Sequence, residues 1–175
     1  MSDATESLTE TLSPALPTRV ETMAADVLTA LCARGWRVAV AESCTGGLLA
    51  SLLTDVSGCS HAFDRGFVVY SNGAKEQMLG VPRVLLETHG PVSEPVARAM
   101  ARAALDRSDA HVAVAITGFA GPAGPVDTPG LVHFAIARRD GMTHVRREYG
   151  DVGRGPVRVA CLEESLRLLR AALAD

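Results

Sequence analysis

Ser43 lies in the stretch Val38-Ala39-Val40-Ala41-Glu42-Ser43-Cys44-Thr45-Gly46-Gly47, where an apolar strand runs into a hydroxyl- and glycine-rich turn and then a helix. A serine at such a junction can act as a nucleophile. The unpaired N–H groups of Thr45, Gly46 and Gly47 at the helix N-terminus can stabilise an oxyanion or a phosphate. The same residues also fit a plainer use, because Ser and Thr are common helix caps, each contributing about 1 kcal/mol. From this turn alone both uses stay open.

Lys75 belongs to a second junction of the same kind, Tyr70-Ser71-Asn72-Gly73-Ala74-Lys75. A lysine on the first turn of a helix feels the positive end of the helix dipole. Desolvation lowers its pKa further, so that a neutral amine can take a proton from a serine hydroxyl. A solvated surface lysine is the plain alternative, and Tyr70 is either a catalyst or a core or rim aromatic. Glu42 could pair with Lys75 or orient a base, and a carboxylate at a strand end also accepts backbone hydrogen bonds. Cys44 is the rival nucleophile, although no histidine adjoins it and a small buried thiol is the plain reading.

A third junction follows Ala110–Thr117, an apolar run that ends in Gly118-Phe119-Ala120-Gly121-Pro122-Ala123-Gly124-Pro125. Its small residues let backbone N–H groups approach a ligand, and they equally make an ordinary turn. The five histidines show no metal-ligand spacing, so no catalytic metal and no cofactor are expected. Arg154 and Arg158, four apart at the start of the last helix, could hold a phosphate or carboxylate or line a solvated face. Arg138, Arg139, Arg146 and Arg147 read as a charged edge that resists strand-to-strand aggregation rather than as a nucleic-acid patch.

These junctions need buried strands with helices between them, and the hydrophobic pattern supplies both. Helical spacing runs over Val20–Leu31, strand one over Arg37–Glu42, and a helical face over Leu48–Leu53. Phe67–Tyr70 reads as a short strand, and Ser71-Asn72 caps the helix carrying Lys75. Short helix Arg83–Thr88 and helix Glu94–Asp106, capped by Ser93, come next. Asp140-Gly141 between Leu131–Arg138 and Thr143–Tyr149 marks a hairpin, and a helix from about Gly155 to Leu173 closes the chain. The expected fold is α/β, a three-layer α/β/α sandwich with a mixed, mostly parallel sheet. Residues 1–16 are expected to form a flexible N-terminal tail before one domain over 17–175.

With 175 residues, 47% hydrophobic and 21% charged, the chain can bury a full core. Its net charge of −3 gives no reason to expect nucleic acid or an anionic membrane. The four cysteines show neither a C-x-x-C pair nor a disulfide framework, and the N-terminal stretch lacks the pattern of a signal peptide. A cytoplasmic protein is expected.

Taken together, AESCTGG at 41–47, FVVYSNGAKEQMLGV at 67–81, HGPVSEPVARAMARAAL at 89–105 and AVAITGFAGP at 113–122 resemble the CinA C-terminal domain family. This family includes nicotinamide mononucleotide deamidases. The resemblance implies metal-independent cleavage of the nicotinamide amide, giving nicotinate mononucleotide and ammonia. By motif, Ser43 would be the nucleophile, Lys75 its general base and Tyr70 a partner in proton transfer or substrate orientation. Thr45, Gly46 and Gly47 would line the anion or oxyanion site, and Arg158, with Arg154, would contact substrate. Thr117, Gly118 and Gly121 are further substrate-binding candidates. The expected partner is a small pyridine nucleotide, and the expected assembly is a homodimer or higher homo-oligomer. Two departures stand out: the loop AGPVDTPG at 123–130 is shorter and lacks the family's lysine, and Gly153 replaces the acidic residue before Arg154. They motivate an alternative, a non-catalytic nucleotide-binding or regulatory module of the same fold.

Overall fold

The computed structural model describes residues 15–121 and 127–174. Its elements are α1 (Thr18–Arg34), β1 (Val38–Glu42), α2 (Leu48–Thr54), β2 (Phe63–Val68), α3 (Asn72–Leu79), α4 (Arg83–His89), α5 (Glu94–Asp106), β3 (Val112–Gly118), β4 (Leu131–Arg138), β5 (Met142–Glu148) and α6 (Arg154–Ala172). The strands form one sheet in the order β2-β1-β3-β4-β5. β1 pairs parallel with both β2 and β3, while β4 is antiparallel to β3 and to β5. Four strands therefore point one way and β4 alone runs against them, the mixed and mostly parallel sheet expected from the sequence.

Strand alternation decides which helices lie where. Val38, Val40, Val112, Val114, Ile116, Phe134 and Ile136 face a core built with α1, α2 and α6. The intervening Ala39, Ala41, Ala113, Ala115, Ala135 and Ala137 face the other way, against Val96, Ala97, Met100, Ala101 and Ala104 of α5, with Leu79 of α3 and Leu86 of α4 beside them. Period-two alternation thus gives one face of branched side chains and one of methyl groups, and the methyl face lets α5 lie close across three strands. This makes a three-layer sandwich.

The topology also positions the site. The chain leaves β1 toward β2 through α2 on one face, then returns to β3 on the other side of β1 through α3, α4 and α5 on the opposite face. β1 and β3 therefore diverge at a topological switch point, where ligands enter open α/β sheets at the strands' carboxyl ends. Glu42-Ser43 and Thr117-Gly118 occupy those ends.

Most boundaries match the expected ones within two or three residues, and β2 is the largest departure. Expected at Phe67–Tyr70, it spans Phe63–Val68, although Val69 N–H still donates to Glu42 O at 2.8 Å. β2 is an edge strand whose Asp64, Arg65 and Gly66 break the apolar run. Gly66 has a packing reason: a Cβ there would lie 3.1 Å from Val40 Cγ2 and 3.2 Å from Ala50 Cβ, so its absence makes room for α2. The expected tail lies outside the described residues except at its last two positions, and Leu16 is already buried in the core. Residues 122–126 of the expected ligand-approach loop also lie outside them. No helix among the described residues is long and apolar enough to cross a membrane.

Candidate active site

Parallel pairing of β1 with β2 brings the first two junctions together. Ser43 follows β1, its N–H bonded to Ile116 O at 3.0 Å. Lys75 lies on the first turn of α3, whose N-cap Ser71 accepts from Ala74 N–H. The lysine amine points back under the strand ends, with Nζ 3.1 Å from Ser43 Oγ, 3.1 Å from Val69 O and 3.5 Å from Tyr70 O. Lys75 is 1% exposed and Ser43 is 6% exposed.

The three oxygens around Nζ can be satisfied by either protonation state of the amine. An ammonium would use all three N–H groups on the three oxygens. A neutral amine donates two to the carbonyls of Val69 and Tyr70, which leaves its lone pair facing the Ser43 hydroxyl. Burial pushes the Lys75 amine below its ordinary value, opposed by the neighbouring Cys44. The helix dipole at the start of α3 acts in the same direction as burial. Lys75 is also the only lysine of the chain, its sixteen other basic residues all being arginines. A guanidinium at this position would stay protonated, whereas an amine can lose its proton.

The turn after Ser43 is built differently from the sequence expectation. Glu42, fully buried, folds back over the start of α2, where Oε2 accepts from the N–H groups of Gly47 (3.2 Å) and Leu49 (3.1 Å) and Oε1 from Ala50 (2.8 Å). Gly46 N–H is bonded to Ser43 O at 3.1 Å. The N–H groups of Gly46 and Gly47 are thus already used, whereas no acceptor among the described residues takes those of Cys44 and Thr45. The two glycines serve the turn's shape, with φ of 62° and 94°, in the left-handed region that side chains avoid. Glu42→Gln puts an NH₂ group against N–H donors and is expected to cost about 2 kcal/mol of stability, as lost hydrogen bonds to a charged acceptor do. Chemical denaturation checks this.

A pocket of about 300 Å³ opens over the pair, at the lower end of small-molecule sites. Ser43, Lys75, Tyr70, Thr117, Gly118, Gly121 and Arg154 all line it. Thr117 is buried and donates from Oγ1 to Pro91 O at 2.7 Å, fixing the far wall. Arg154 reaches over Gly121, where a Cβ would sit 2.7 Å from Nη2. Tyr70 is 67% exposed at the rim, and its carbonyl rather than its hydroxyl meets Lys75.

Thr45, Gly46, Gly47 and Arg158 do not line the pocket. Arg158 lies beneath the turn instead, with Nη2 donating to Thr45 O at 2.6 Å. Thr45 Oγ1 and Arg158 Nε are buried without a partner among the described residues. Cys44 lines the pocket and is nearly buried, and a hydrogen bond from the Cys161 thiol draws its pKa down against the effect of burial. Ser71, Asn72, Pro91 and Val92 complete walls that the sequence reading did not assign. Ser71-Asn72 adjoin Tyr70, and Pro91 follows the turn at Gly90, so adjacency to the quoted motifs was their available signal. Among the described residues no group of three His, Cys, Asp or Glu side chains could hold a metal ion.

An α/β/α sandwich with a serine and a buried lysine joined at its switch point is the class that fold and site define. Within it, the chain belongs to the CinA C-terminal domain family, whose model matches residues 20–173. It is 53% identical over 150 residues to a CinA-like protein of Anaeromyxobacter dehalogenans strain 2CP-C, covering 84% of this chain and 36% of that one. The chain thus spans about a third of the length of the long relatives it matches. It is 43% identical over 151 residues to the nicotinamide-nucleotide amidohydrolase PncC of Enterobacter agglomerans, covering 85% of this chain and 92% of the relative. The crystal structure of the competence/damage inducible protein CihA from Agrobacterium tumefaciens superposes with a TM-score of 0.87 at 45% identity, covering 91% of this chain and 98% of that one.

Proposed function

We propose that this protein is an amidohydrolase that deamidates nicotinamide mononucleotide to nicotinate mononucleotide and ammonia, with Ser43 as nucleophile and Lys75 as its base. The observation that carries the reading is the 3.1 Å contact between Lys75 Nζ and Ser43 Oγ inside the pocket. The relative of similar length named as a nicotinamide-nucleotide amidohydrolase supports the substrate class.

In this reading Ser43 Oγ attacks the carboxamide carbon as its proton passes to Lys75 Nζ. The oxyanion forms near the N–H groups of Cys44 and Thr45, the two donors left free at the turn. Lys75 returns the proton to the departing nitrogen, ammonia leaves, and the C–N bond is replaced by an ester to Ser43. Water, activated by the same amine, then releases the acid. Tyr70, on the exposed rim, covers or orients the substrate ring, while Arg158 holds the turn rather than the ligand.

Arg154 has the chemistry to receive the nucleotide phosphate. It lines the pocket and has no ion pair among the described residues. Gly121→Ala forces its guanidinium aside and is expected to raise KM by about tenfold, the equivalent of about 1.4 kcal/mol, with kcat little changed. Steady-state kinetics of the variant check this.

The proposal is tested by ammonia release from nicotinamide mononucleotide with the purified chain. Turnover that disappears in Ser43→Ala supports it. Tight nucleotide binding by calorimetry without ammonia would overturn it in favour of a binding or regulatory module. Activity retained in Ser43→Ala but lost in Cys44→Ala would transfer the nucleophile to the thiol.

A further inference from the structure

The pocket wall at Pro91-Val92 lies on no helix or strand and links α4 to α5. Its hold on the sheet is therefore a question of side-chain contacts. At one end, Pro91 O accepts from Thr117 Oγ1 of β3 at 2.7 Å, and Ser93 Oγ donates to Gly90 O at 3.0 Å. At the other, Glu94 Oε2 lies 3.3 Å from His144 Nδ1, and His144 Nε2 lies 2.9 Å from His133 Nδ1. His133 stands opposite Thr117 in the β3–β4 ladder, so the contacts close into a ring around residues 91–94.

The sheet register puts these groups together. His133 pairs with Arg146 and Ala135 with His144 across β4 and β5, which makes the two histidines diagonal neighbours on the face that meets α5. Their rings stack 5.2 Å apart at 24°. The proton arrangement is complete with both imidazoles neutral: the Glu94 carboxylate accepts from His144 Nδ1–H, and His144 Nε2 accepts from His133 Nδ1–H. A proton on each ring sets N–H against N–H and opens the chain. The charged groups around it are Glu94 and Arg98 from α5 and Arg146 from β5. Burial holds both histidines below their ordinary values, with Glu94 opposing the shift, and each is neutral at neutral pH.

We infer that His133, His144 and Glu94 are positioning residues for the reaction, a clasp that holds the Pro91-Val92 wall against β3 and so sets how tightly substrate is bound. The inference rests on the proposed deamidase activity for its kinetic consequence, and on the contacts alone for its structural one. As pH falls through the lowered pKa values of the two histidines the clasp takes up protons and the wall loosens, which weakens substrate binding before it slows the chemical step.

The test compares wild type with His133→Leu, which removes the donor, and His133→Asn, whose amide N–H replaces Nδ1–H without titrating. Amide hydrogen exchange is followed at residues 92–97 without ligand, alongside KM and kcat for nicotinamide mononucleotide between about pH 5 and 8. In His133→Leu, exchange there is expected to quicken by about tenfold and KM to rise by about tenfold with kcat little changed. This lies within the hundredfold that an ångström of misplacement can cost. His133→Asn is expected to restore both at neutral pH. Unchanged exchange in a folded His133→Leu, or exchange in His133→Asn as fast as in His133→Leu, overturns the clasp. Faster exchange in His133→Leu with no turnover by wild type overturns the deamidase reading and supports the clasp.

Discussion

Ser43→Ala is expected to lower kcat for nicotinamide mononucleotide by roughly 10⁵-fold, as removal of the nucleophile does in other hydrolytic units. The residual rate is what substrate binding and the donors at Cys44 and Thr45 sustain on their own. KM is expected to stay within about threefold, because the hydroxyl contributes little to ground-state binding in this reading. The variant should fold: a neutral Lys75 keeps both of its N–H partners, the carbonyls of Val69 and Tyr70, when Oγ is removed. Stopped-time ammonia assays with a melting curve on the same preparation separate lost chemistry from lost structure.

Lys75→Met is expected to lower kcat by about 10³-fold, the range of a positioned general base. Methionine keeps much of the buried volume but has no amine, so two carbonyls and the Ser43 hydroxyl lose their partner. Lys75→Arg is expected to be no better, since the guanidinium stays protonated and cannot accept from Oγ. Combined with Ser43→Ala, Lys75→Met should slow the enzyme no further, because a base without its nucleophile has no proton to take. The pH dependence has a definite sign. Below its lowered pKa Lys75 is protonated and cannot act as a base, so activity rises with pH through that value, and Lys75→Met loses this limb. Stability follows the same direction. Between the folded and unfolded pKa values the unfolded chain binds the extra proton, so stability from this group grows as pH rises through that interval.

Alternating Val and Ala in Val38–Ala41 and Val112–Ala115, followed by small-residue turns, made the two strand ends readable from the chain. They also carry the site, which is why Ser43 and Thr117-Gly118 could be placed in advance. Lys75 was joined to Ser43 in advance only by the family resemblance, because their contact depends on β2 lying beside β1, and the polar start of β2 hides that strand. Its status as the single lysine among arginines was the signal the sequence held. Of the three expected donors, Gly46 and Gly47 have their N–H groups taken for a local reason. A glycine pair at a helix start looks open until Glu42 is seen to reach back over it, and side-chain reach of that kind leaves no mark in spacing. Arg158 shows the same limit, being four residues from Arg154 on α6 and yet under the turn rather than in the pocket.

The single lysine also makes the decisive measurement simple. A chain grown with lysine carrying ¹³C at Cε gives one ε-methylene signal, and its chemical shift followed against pH reports the protonation of Lys75 alone. The expected midpoint lies below the ordinary value of 10.5 and coincides with the midpoint of the rising limb of kcat/KM. A midpoint at or above 10.5, or an activity limb that does not follow it, would contradict a neutral Lys75 as the base for Ser43.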